Sequence, residues 1–397
     1  MRVLVQKFGG TSVAGPSERE HVLRKVLAAR EMGYAVVVVV SAMGRRGAPY
    51  VTDTLLELLR EGKATPRETD LLLACGEIVS GVVLAAALRA RGVAATFLTG
   101  PQAGLITDET HGEARIIRVE PRRLRQELEE GKVVVVAGFQ GMSEKGEVTT
   151  LGRGGSDTTA TALGVALQAE AVEIYTDVEG VKTADPRLEG TARTLERLTY
   201  NEVCQLAQEG ARVIHPRAVE IAMQANLPLW IKNTFSDGPG TLVVNGAFEQ
   251  TVMIKADRPV TGITQIAPLT QFILEVEGAD QVRAFRALAA EGISLDFITV
   301  LPERVIFNVR EENEAKTRAT LAALGFRPQM RPKCAKVAAV GAGMTGRPGI
   351  MAAIMESLAA EGIAVLQSAD SYTTIWCLVK EEEMPRAVTA LHRRFCA

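Results

Sequence analysis

The segment "TLGRGGSDT" (150–158) places one arginine among three glycines, followed by a serine and an aspartate. Backbone N–H groups of glycine-rich loops approach anions closely, and a guanidinium group binds a carboxylate or phosphate through two parallel hydrogen bonds. A capping role for Ser156 or Asp157 at the start of the following helix is the alternative. Capping does not explain Arg153 between glycines, so the segment favours an anion-binding loop.

A second loop of this kind lies at the N-terminus, where "QKFGG" (6–10) places Lys7 at the end of a predicted strand, just before Gly9 and Gly10. Lysine supplies a compact positive charge, and the glycines let N–H groups reach an anion. The spacing matches neither GxxxxGK[ST] nor GxGxxG. A tight turn whose lysine side chain reaches solvent explains these residues equally well.

Three other parts of the sequence contain polar residues that could belong to a binding site. The segment "YTDVEGVKTADPR" (175–187) offers two cations and several oxygen ligands after another predicted strand, although a surface turn uses the same residues. Glu77 lies in an otherwise apolar predicted helix, where a charge needs either a buried cation or a ligand. His215, directly before a proline, is interpreted as structural.

The elements that position these residues alternate between strand and helix. Buried apolar runs at 2–8, 34–42, 132–141 and 171–180 predict strands, and amphipathic segments between them predict helices. Such alternation predicts a mainly parallel sheet covered on both faces. Because the polar loops follow strands, they meet at the C-terminal sheet edge, where ligands bind in such folds. Glycine loops, cations and carboxylates at this edge predict phosphoryl transfer, in which the protein positions reactants and neutralises charge.

The C-terminal third contains an internal repeat. "ALAAEGISL" (287–295) recurs as "SLAAEGIAV" (357–365), and the flanking predicted elements recur in the same order of strand, helix, strand, strand and helix. This order predicts a ferredoxin-like α/β sandwich that is present twice, at 262–328 and 334–397, after a catalytic domain at 1–246. Chance similarity of two alanine-rich helices does not account for the repeated element order.

The composition excludes several classes of partner. The chain of 397 residues has 45 Lys and Arg against 47 Asp and Glu, so no excess of positive charge favours nucleic acid. Its five cysteines are scattered, without a CxxC pair, and its four histidines show no zinc-ligand spacing. The most apolar segment (35–43) is far shorter than a membrane span. We therefore expect a cytoplasmic protein with reduced thiols and no membrane partner.

Four motifs in this order resemble the aspartokinases of the amino-acid kinase superfamily: "KFGGTSV" (7–13), "VVSAMG" (39–44), "GRGGSDT" (152–158) and "YTDVEGV-TADPR" (175–187). The tandem repeats look like the paired ACT regulatory domains of these enzymes, and the C-terminal segment is most similar to monofunctional, diaminopimelate-sensitive members. The resemblance implies a three-layer α/β kinase domain followed by two ferredoxin-like ACT domains.

The resemblance also implies a reaction. The γ-phosphoryl group of ATP, with Mg²⁺ as cofactor, would pass to the side-chain carboxylate of L-aspartate. The product would be 4-phospho-L-aspartate, at the first step towards lysine, diaminopimelate, threonine and methionine. A glutamate-type kinase and a non-catalytic amino-acid sensor are the alternatives. The tandem repeats and "KFGGTS" argue against the first, and the intact Lys7, Arg153 and Asp157 argue against the second.

Site residues follow from the same resemblance. Lys7 would stabilise the transferring phosphoryl group, and Asp157 would orient Lys7. Aspartate would contact Thr52, Glu77 (through its ammonium group), Arg153 (through its α-carboxylate), Gly154, Gly155 and Ser156. The nucleotide would contact Lys7, Phe8, Gly9, Gly10, Ser41, Thr176, Asp177, Lys182, Arg187 and Arg212. Lys182 stands where many relatives have an aromatic residue and Arg212 where many have lysine. No residue is assigned as a metal ligand.

The repeats are expected to bind an amino-acid effector and to pair two chains into a homodimer. The first loop of each repeat (277–281 and 341–349) is the predicted contact region. The candidate effector residues are Asp280, Asp296, Met344, Thr345 and Gln367. The expected effector is meso-diaminopimelate or lysine, with threonine as a third candidate. A module that only dimerises is the alternative.

Overall fold

The computed structural model describes residues 1–45, 47–60, 62–211, 213–245, 259–344 and 347–397. The chain divides into two compact units. The first comprises Met1–Val181, Thr194–Ala207 and Arg212–Val252, and the second comprises Lys182–Arg193, Gln208–Ala211 and Met253–Ala397.

Strands and helices alternate along most of the first unit. In chain order its elements are β1 (Val3–Phe8), α1 (Pro16–Glu31), β2 (Ala35–Val40), α2 (Thr52–Glu57), α3 (Pro66–Ala90), β3 (Ala95–Leu98), β4 (Leu105–Thr107), β5 (Ile116–Val119), α4 (Arg122–Glu129), β6 (Val133–Ala137), β7 (Gln140–Ser143), β8 (Val148–Thr150), α5 (Gly155–Leu167), β9 (Ala171–Thr176), β10 (Arg197–Thr199), α6 (Tyr200–Gln208), α7 (Pro216–Ala225), β11 (Leu229–Asn233) and β12 (Thr241–Val244).

The main sheet of this unit has the strand order β10-β12-β11-β9-β1-β2-β6-β3. Its neighbouring strands are parallel except for the pair β11–β12, which confirms the predicted mainly parallel sheet. The central strand β1 pairs with β2 and β9, so the segments that follow these three strands lie side by side. A smaller sheet of order β5-β4-β7-β8 ends at Thr150, from which the chain enters the glycine-rich loop.

Helix α3 has a well-defined start and a mostly apolar sequence. It begins at a capping box, in which Thr65 and Glu68 satisfy each other's backbone N–H groups, and Pro66 occupies its first turn. Among the described residues it is the one helix that is long and apolar enough to cross a membrane. Half of its most apolar window is buried inside the protein, as in a core helix.

The second unit contains both repeats. Its elements are β13 (Gly262–Glu275), α8 (Gly278–Ala290), β14 (Asp296–Leu301), β15 (Arg304–Arg310), α9 (Glu311–Ala323), β16 (Gln329–Val340), α10 (Ile350–Ala360), β17 (Gln367–Asp370), β18 (Thr374–Lys380) and α11 (Met384–Phe395).

The two repeats share a single antiparallel sheet of order β14-β15-β13-β16-β18-β17. The element order of each repeat is as predicted, but the sandwiches are not separate. A ferredoxin-like sandwich needs four strands, and each repeat supplies only three. Strands β13 and β16, of 14 and 12 residues, are long enough to pair across both halves and provide the missing strand to each.

Candidate active site

A cavity of about 940 Å³ lies in the first unit, beyond the C-terminal ends of β1 and β2. Its lining brings together most of the residues that the sequence predicted. The predicted residues in its wall are Lys7, Gly10, Ser41, Thr52, Glu77, Arg153, Gly154, Gly155, Ser156 and Asp157. The predicted catalytic and substrate-binding residues therefore converge on one cavity.

Lys7 and Asp157 form an ion pair in the wall of this cavity. Lys7 Nζ lies 2.6 Å from Asp157 Oδ1, and only 12% and 11% of the two side chains are exposed. The second oxygen of Asp157 accepts a hydrogen bond from the backbone N–H of His215 at 3.4 Å. Lys7 does not reach freely into solvent, so the alternative of a simple turn fails. The carboxylate fixes the ammonium group beside the cavity, which supports the hypothesis that Asp157 orients Lys7.

Neither Ser156 nor Asp157 caps helix α5. The N-cap is Gly154, with no side-chain hydrogen bond to the first turn, so the capping alternative is wrong. Gly154 has a φ of 68°, and a Cβ atom there would lie 2.2 Å from the ring of His215. Only glycine meets both requirements, and the loop that carries Arg153 is therefore held close to His215.

The structural interpretation of His215 agrees with its contacts. It is the N-cap residue of α7, and its Nδ1 accepts a hydrogen bond from the backbone N–H of Arg217. Burial lowers the pKa of His215, which favours the neutral ring that can accept this hydrogen bond. His215 acts on the site through its backbone N–H, which contacts Asp157.

Arg153 is exposed at the cavity. Across the described part of the chain, no hydrogen bond or ion pair engages its guanidinium group. Lys7, by contrast, is already neutralised by Asp157. A planar cation that has no protein partner is suited to bind a carboxylate in two-point fashion.

Glu77 is the most unusual group in the cavity wall. It is 4% exposed, and its Oε1 accepts a hydrogen bond from the backbone N–H of Ala42 at 3.1 Å. Its Oε2 is buried and has no partner among the described residues. Burial raises the pKa of Glu77 to about 8. A cationic ligand group would satisfy Oε2 and restore the charged carboxylate.

The turn after β1 brings the chain close to the turn after β2. A Cβ atom on Gly10 would lie 2.5 Å from the carbonyl oxygen of Ala42, so glycine is required there. Gly9 N–H points to the carbonyl oxygen of Tyr175 at 3.4 Å. The Phe8 ring is fully buried and stacks on Tyr175 at 4.7 Å, so a nucleotide could reach only its main chain.

Four other predicted nucleotide residues, Thr176, Asp177, Lys182 and Arg187, do not line the cavity. Thr176 and Asp177 end β9 and follow it, beside β1, and Asp177 forms an ion pair with Arg45 at 3.5 Å. Lys182 and Arg187 belong to a segment of the second unit. The Asp185 carboxylate already binds Arg187, with Nη2 and Oδ2 2.7 Å apart. Arg212 lies outside the described residues.

The cavity wall also contains polar residues that the sequence analysis missed, among them Asp70, His111 and Thr150. Asp70 is fully buried and lies seven positions before Glu77 on α3. Seven residues are close to two helical turns, so both carboxylates lie on one face. The signal that identified Glu77, an acidic residue among apolar neighbours, is absent at Asp70, which directly follows the polar start of α3 (66–69).

The candidate effector residues of the second unit differ in their surroundings. The Asp296 carboxylate lies 2.6 Å from Nζ of the buried Lys336, and Gln367 donates hydrogen bonds to the Phe297 carbonyl and the Thr299 hydroxyl. Both side chains therefore have polar partners within the second unit. Of the other three candidates, Asp280 pairs with Arg283 on the surface and Met344 is buried, whereas Thr345 lies outside the described residues.

Comparison with known proteins identifies the family of this chain. The profile of the amino acid kinase family matches residues 2–233, and an ACT domain profile matches residues 329–393. Aspartokinase 1 of Bacillus subtilis (strain 168) is 48% identical over 400 residues, covering 100% of this chain and 99% of that protein. The aspartokinase of Geobacillus stearothermophilus is 42% identical over 406 residues, covering 100% and 97%.

Solved structures show the same fold. E. coli aspartokinase III in complex with aspartate and ADP (R-state) superposes with a TM-score of 0.80 at 25% identity, covering 100% of both chains. The complex of the same enzyme with lysine and aspartate (T-state) gives 0.76 at 25% identity, again over the whole of both chains. Because relatives that are 48% and 42% identical match over nearly their whole length, the chain belongs to the aspartokinases of the amino acid kinase family.

Proposed function

We propose that the cavity of the first unit binds L-aspartate between the guanidinium group of Arg153 and the buried carboxyl group of Glu77. As an aspartokinase, the chain transfers the γ-phosphoryl group of ATP to the side-chain carboxylate of L-aspartate. The observation that carries this placement is that, within the described part of the chain, the Arg153 guanidinium and Glu77 Oε2 lack hydrogen-bond and ion-pair partners. The carboxylate and ammonium groups of an amino acid in this cavity would supply one to each.

The chemistry requires cancellation of charge more than proton transfer. An ionised carboxylate is already a nucleophile at neutral pH, so the reaction needs no strong general base. The barrier comes from bringing this anion to a polyphosphate. Lys7, held at 2.6 Å by Asp157, is placed to stabilise the phosphoryl group as negative charge redistributes during transfer.

ATP would bind along the edge formed by β1 and β9. Gly9, Gly10, Ser41, Thr176 and Asp177 lie in the segments that end or follow β1, β2 and β9. Mg²⁺ would enter with the nucleotide and neutralise phosphate charge. The described residues contain no cluster of three acidic, His or Cys side chains, so phosphate oxygens and water would supply most of its ligands.

The substrate assignment is checked by an ATP-dependent hydroxamate assay with aspartate and glutamate as acceptors. We expect aspartyl hydroxamate to form and glutamate to react far more slowly. Product from glutamate alone would indicate another carboxylate kinase. Absence of product from both acceptors would leave only a sensor function, and either result would contradict the proposal.

The aspartate KM should fall as the pH rises towards 8. Because burial raises the pKa of Glu77 to about 8, the empty cavity holds a neutral carboxylic acid below that pH. Binding of an ammonium group favours the carboxylate, so a proton must leave on binding. Linkage then predicts that KM falls about fivefold between pH 7 and pH 8 and flattens above.

Steady-state KM values for aspartate from pH 6.5 to pH 8.5 measure this dependence. Glu77→Gln should raise KM and remove most of its pH dependence, because the amide does not titrate. A wild-type profile that is flat over this range, or one that Glu77→Gln retains, would show that Glu77 does not hold the ammonium group.

The repeats would provide feedback regulation by an end product, with meso-diaminopimelate or lysine favoured over threonine. Effector binding must favour a less active arrangement of the enzyme. Initial rates at sub-saturating aspartate should therefore fall when the effector is added. If the full-length enzyme responds to none of the three amino acids, singly or in pairs, only the dimerising role of the repeats remains.

We further place the enzyme in the cytoplasm as a homodimer. The edge strand β14 exposes the apolar side chains of Ile298, Val300 and Leu301, and its outer backbone groups are available for pairing. A second copy of the same strand would cover both. Light scattering of the full chain should give twice the monomer mass, and Val300→Lys should shift the mass towards monomer. A wild-type chain that is monomeric at assay concentration would contradict this arrangement.

A further inference from the structure

We propose that Asp70 is a positioning residue that fixes the geometry of the aspartate subsite, by tying helix α3 to the strand that leads into the Arg153 loop. Nothing in the aspartokinase comparison or in the motifs assigns a role to this residue. The inference rests on the proposed placement of aspartate between Arg153 and Glu77.

The Asp70 carboxylate is fully buried and accepts hydrogen bonds from three residues. His111 donates from Nδ1 at 2.7 Å, and the backbone N–H of Gly112 donates at 3.1 and 3.2 Å to the two oxygens. Thr150 donates twice, from its backbone N–H at 3.1 Å and from its hydroxyl group at 2.5 Å. An ionised carboxylate has about four acceptor positions, so these donors use its full capacity.

These donors come from separate parts of the first unit. Thr150 is the last residue of β8 and stands three positions before Arg153. Its carbonyl oxygen accepts a hydrogen bond from Ala114 N–H at 2.9 Å. This bond holds the segment 111–114 against the end of β8. A Cβ atom on Gly152 would lie 3.0 Å from the carbonyl oxygen of Gly112, so this segment also packs against the residue before Arg153.

Asp70 therefore sets the spacing between the two groups that bind aspartate. Glu77 is two turns further along the same face of α3, and Arg153 follows the strand that Asp70 holds. Among the described residues, no hydrogen bond links Asp70 or its donors to Thr176 or Asp177, at the end of β9. A displacement of about 1 Å of the groups that position a substrate can lower the rate by about 10²-fold. The effect of losing Asp70 should consequently fall on aspartate far more than on ATP.

The alternative is a buried acid that only stabilises the fold. Loss of a fully paired buried carboxylate does destabilise a protein, because its donors remain buried without partners. Such destabilisation lowers the amount of active enzyme and affects both substrates alike. A selective rise in one KM separates positioning from stability.

The experiment measures KM for aspartate, KM for ATP, kcat and Tm in the full-length enzyme. Asp70→Asn keeps the volume but replaces one acceptor oxygen by a donor, and should raise the aspartate KM by about tenfold or more with less than a twofold change in the ATP KM. Thr150→Val removes one donor and should raise the aspartate KM by about threefold to tenfold. Thr150→Ser keeps the hydroxyl group and should restore a KM near that of the wild type.

Asp108→Asn is the matched control. Asp108 also accepts backbone hydrogen bonds in this region, from Thr110 and Arg115 at 3.1 Å each, but these bonds do not reach α3. The Asp108→Asn variant should leave the KM for aspartate and the KM for ATP unchanged. The inference is overturned if Asp70→Asn or Thr150→Val lowers Tm without a selective rise in the aspartate KM. If Asp70→Asn does not fold, the Thr150→Val and Thr150→Ser pair decides the question.

The same measurements separate this inference from the proposed function. If Arg153→Ala and Glu77→Gln raise the aspartate KM and Asp70→Asn does not, the positioning role fails and the placement of aspartate stands. If none of the three changes affects the aspartate KM, the placement itself is wrong.

Discussion

Lys7→Ala is expected to lower kcat by about 10²–10³-fold, the loss typical of removing one preorganised charge donor from a transition state. Lys7 is almost completely buried and is fixed by Asp157 at 2.6 Å, so its position does not have to be reorganised during the reaction. KM values for both substrates should change much less than kcat, because the interaction strengthens as the phosphoryl group transfers.

Two measurements accompany this variant. Circular dichroism and Tm establish that the purified protein is folded, since removal of Lys7 leaves the Asp157 carboxylate without its cation. Lys132→Ala is the matched control, because Lys132 also forms ion pairs, with Glu127 and Glu130, but precedes β6, at the N-terminal ends of the parallel strands. Near wild-type kcat in a folded Lys7→Ala enzyme would show that Lys7 has no part in phosphoryl transfer.

Arg153→Ala is expected to raise the aspartate KM by about 10²-fold, which corresponds to the loss of a charge-assisted, two-point hydrogen bond of about 2–3 kcal/mol. Arg153→Lys keeps the charge but loses the planar fork, and should raise KM by about tenfold. The ATP KM should stay within about threefold of wild type in both variants.

The folded state should tolerate these changes, since Arg153 is exposed and makes no hydrogen bond or ion pair within the described ranges. Titrations with each substrate at saturating co-substrate measure the two KM values. A rise confined to the ATP KM would assign Arg153 to the nucleotide site and would also remove the carboxylate partner that we propose for aspartate.

The sequence, together with the family resemblance, was sufficient to predict the mainly parallel sheet of the first unit and ten of the residues that line the cavity. Lys7, Arg153 and Asp157 follow or begin elements whose type the hydrophobic pattern identifies, and parallel strands bring their ends together. Glu77 was identifiable because a charge in an apolar helix needs a partner. The expectation that Asp157 contacts Lys7 came from the family resemblance and not from the spacing of these residues. In the structure the two side chains are 2.6 Å apart.

Other features depend on contacts that a local pattern does not encode. Asp70 stands next to "PRET", the polar start of α3, and therefore reads as part of an exposed first turn. His111 lies in the polar stretch "DETHGEAR", which is typical of a surface loop. Their burial arises only when the ends of β8 and α3 meet. The alternative that Ser156 or Asp157 caps α5 could likewise be excluded only from the structure, in which the N-cap is Gly154 with a left-handed φ and no room for a side chain beside His215.

Because the two repeats of the second unit share one sheet, neither repeat can be separated from the other without exposing a strand edge. β13 pairs with β15 and β16, and β16 pairs with β13 and β18, so a cut between the repeats would leave one long strand edge unpaired on each half. Exposed edges of this length and apolar content are sites of aggregation. Deletion or exchange of a single repeat during evolution would meet this penalty, whereas loss or replacement of the pair as a whole would not.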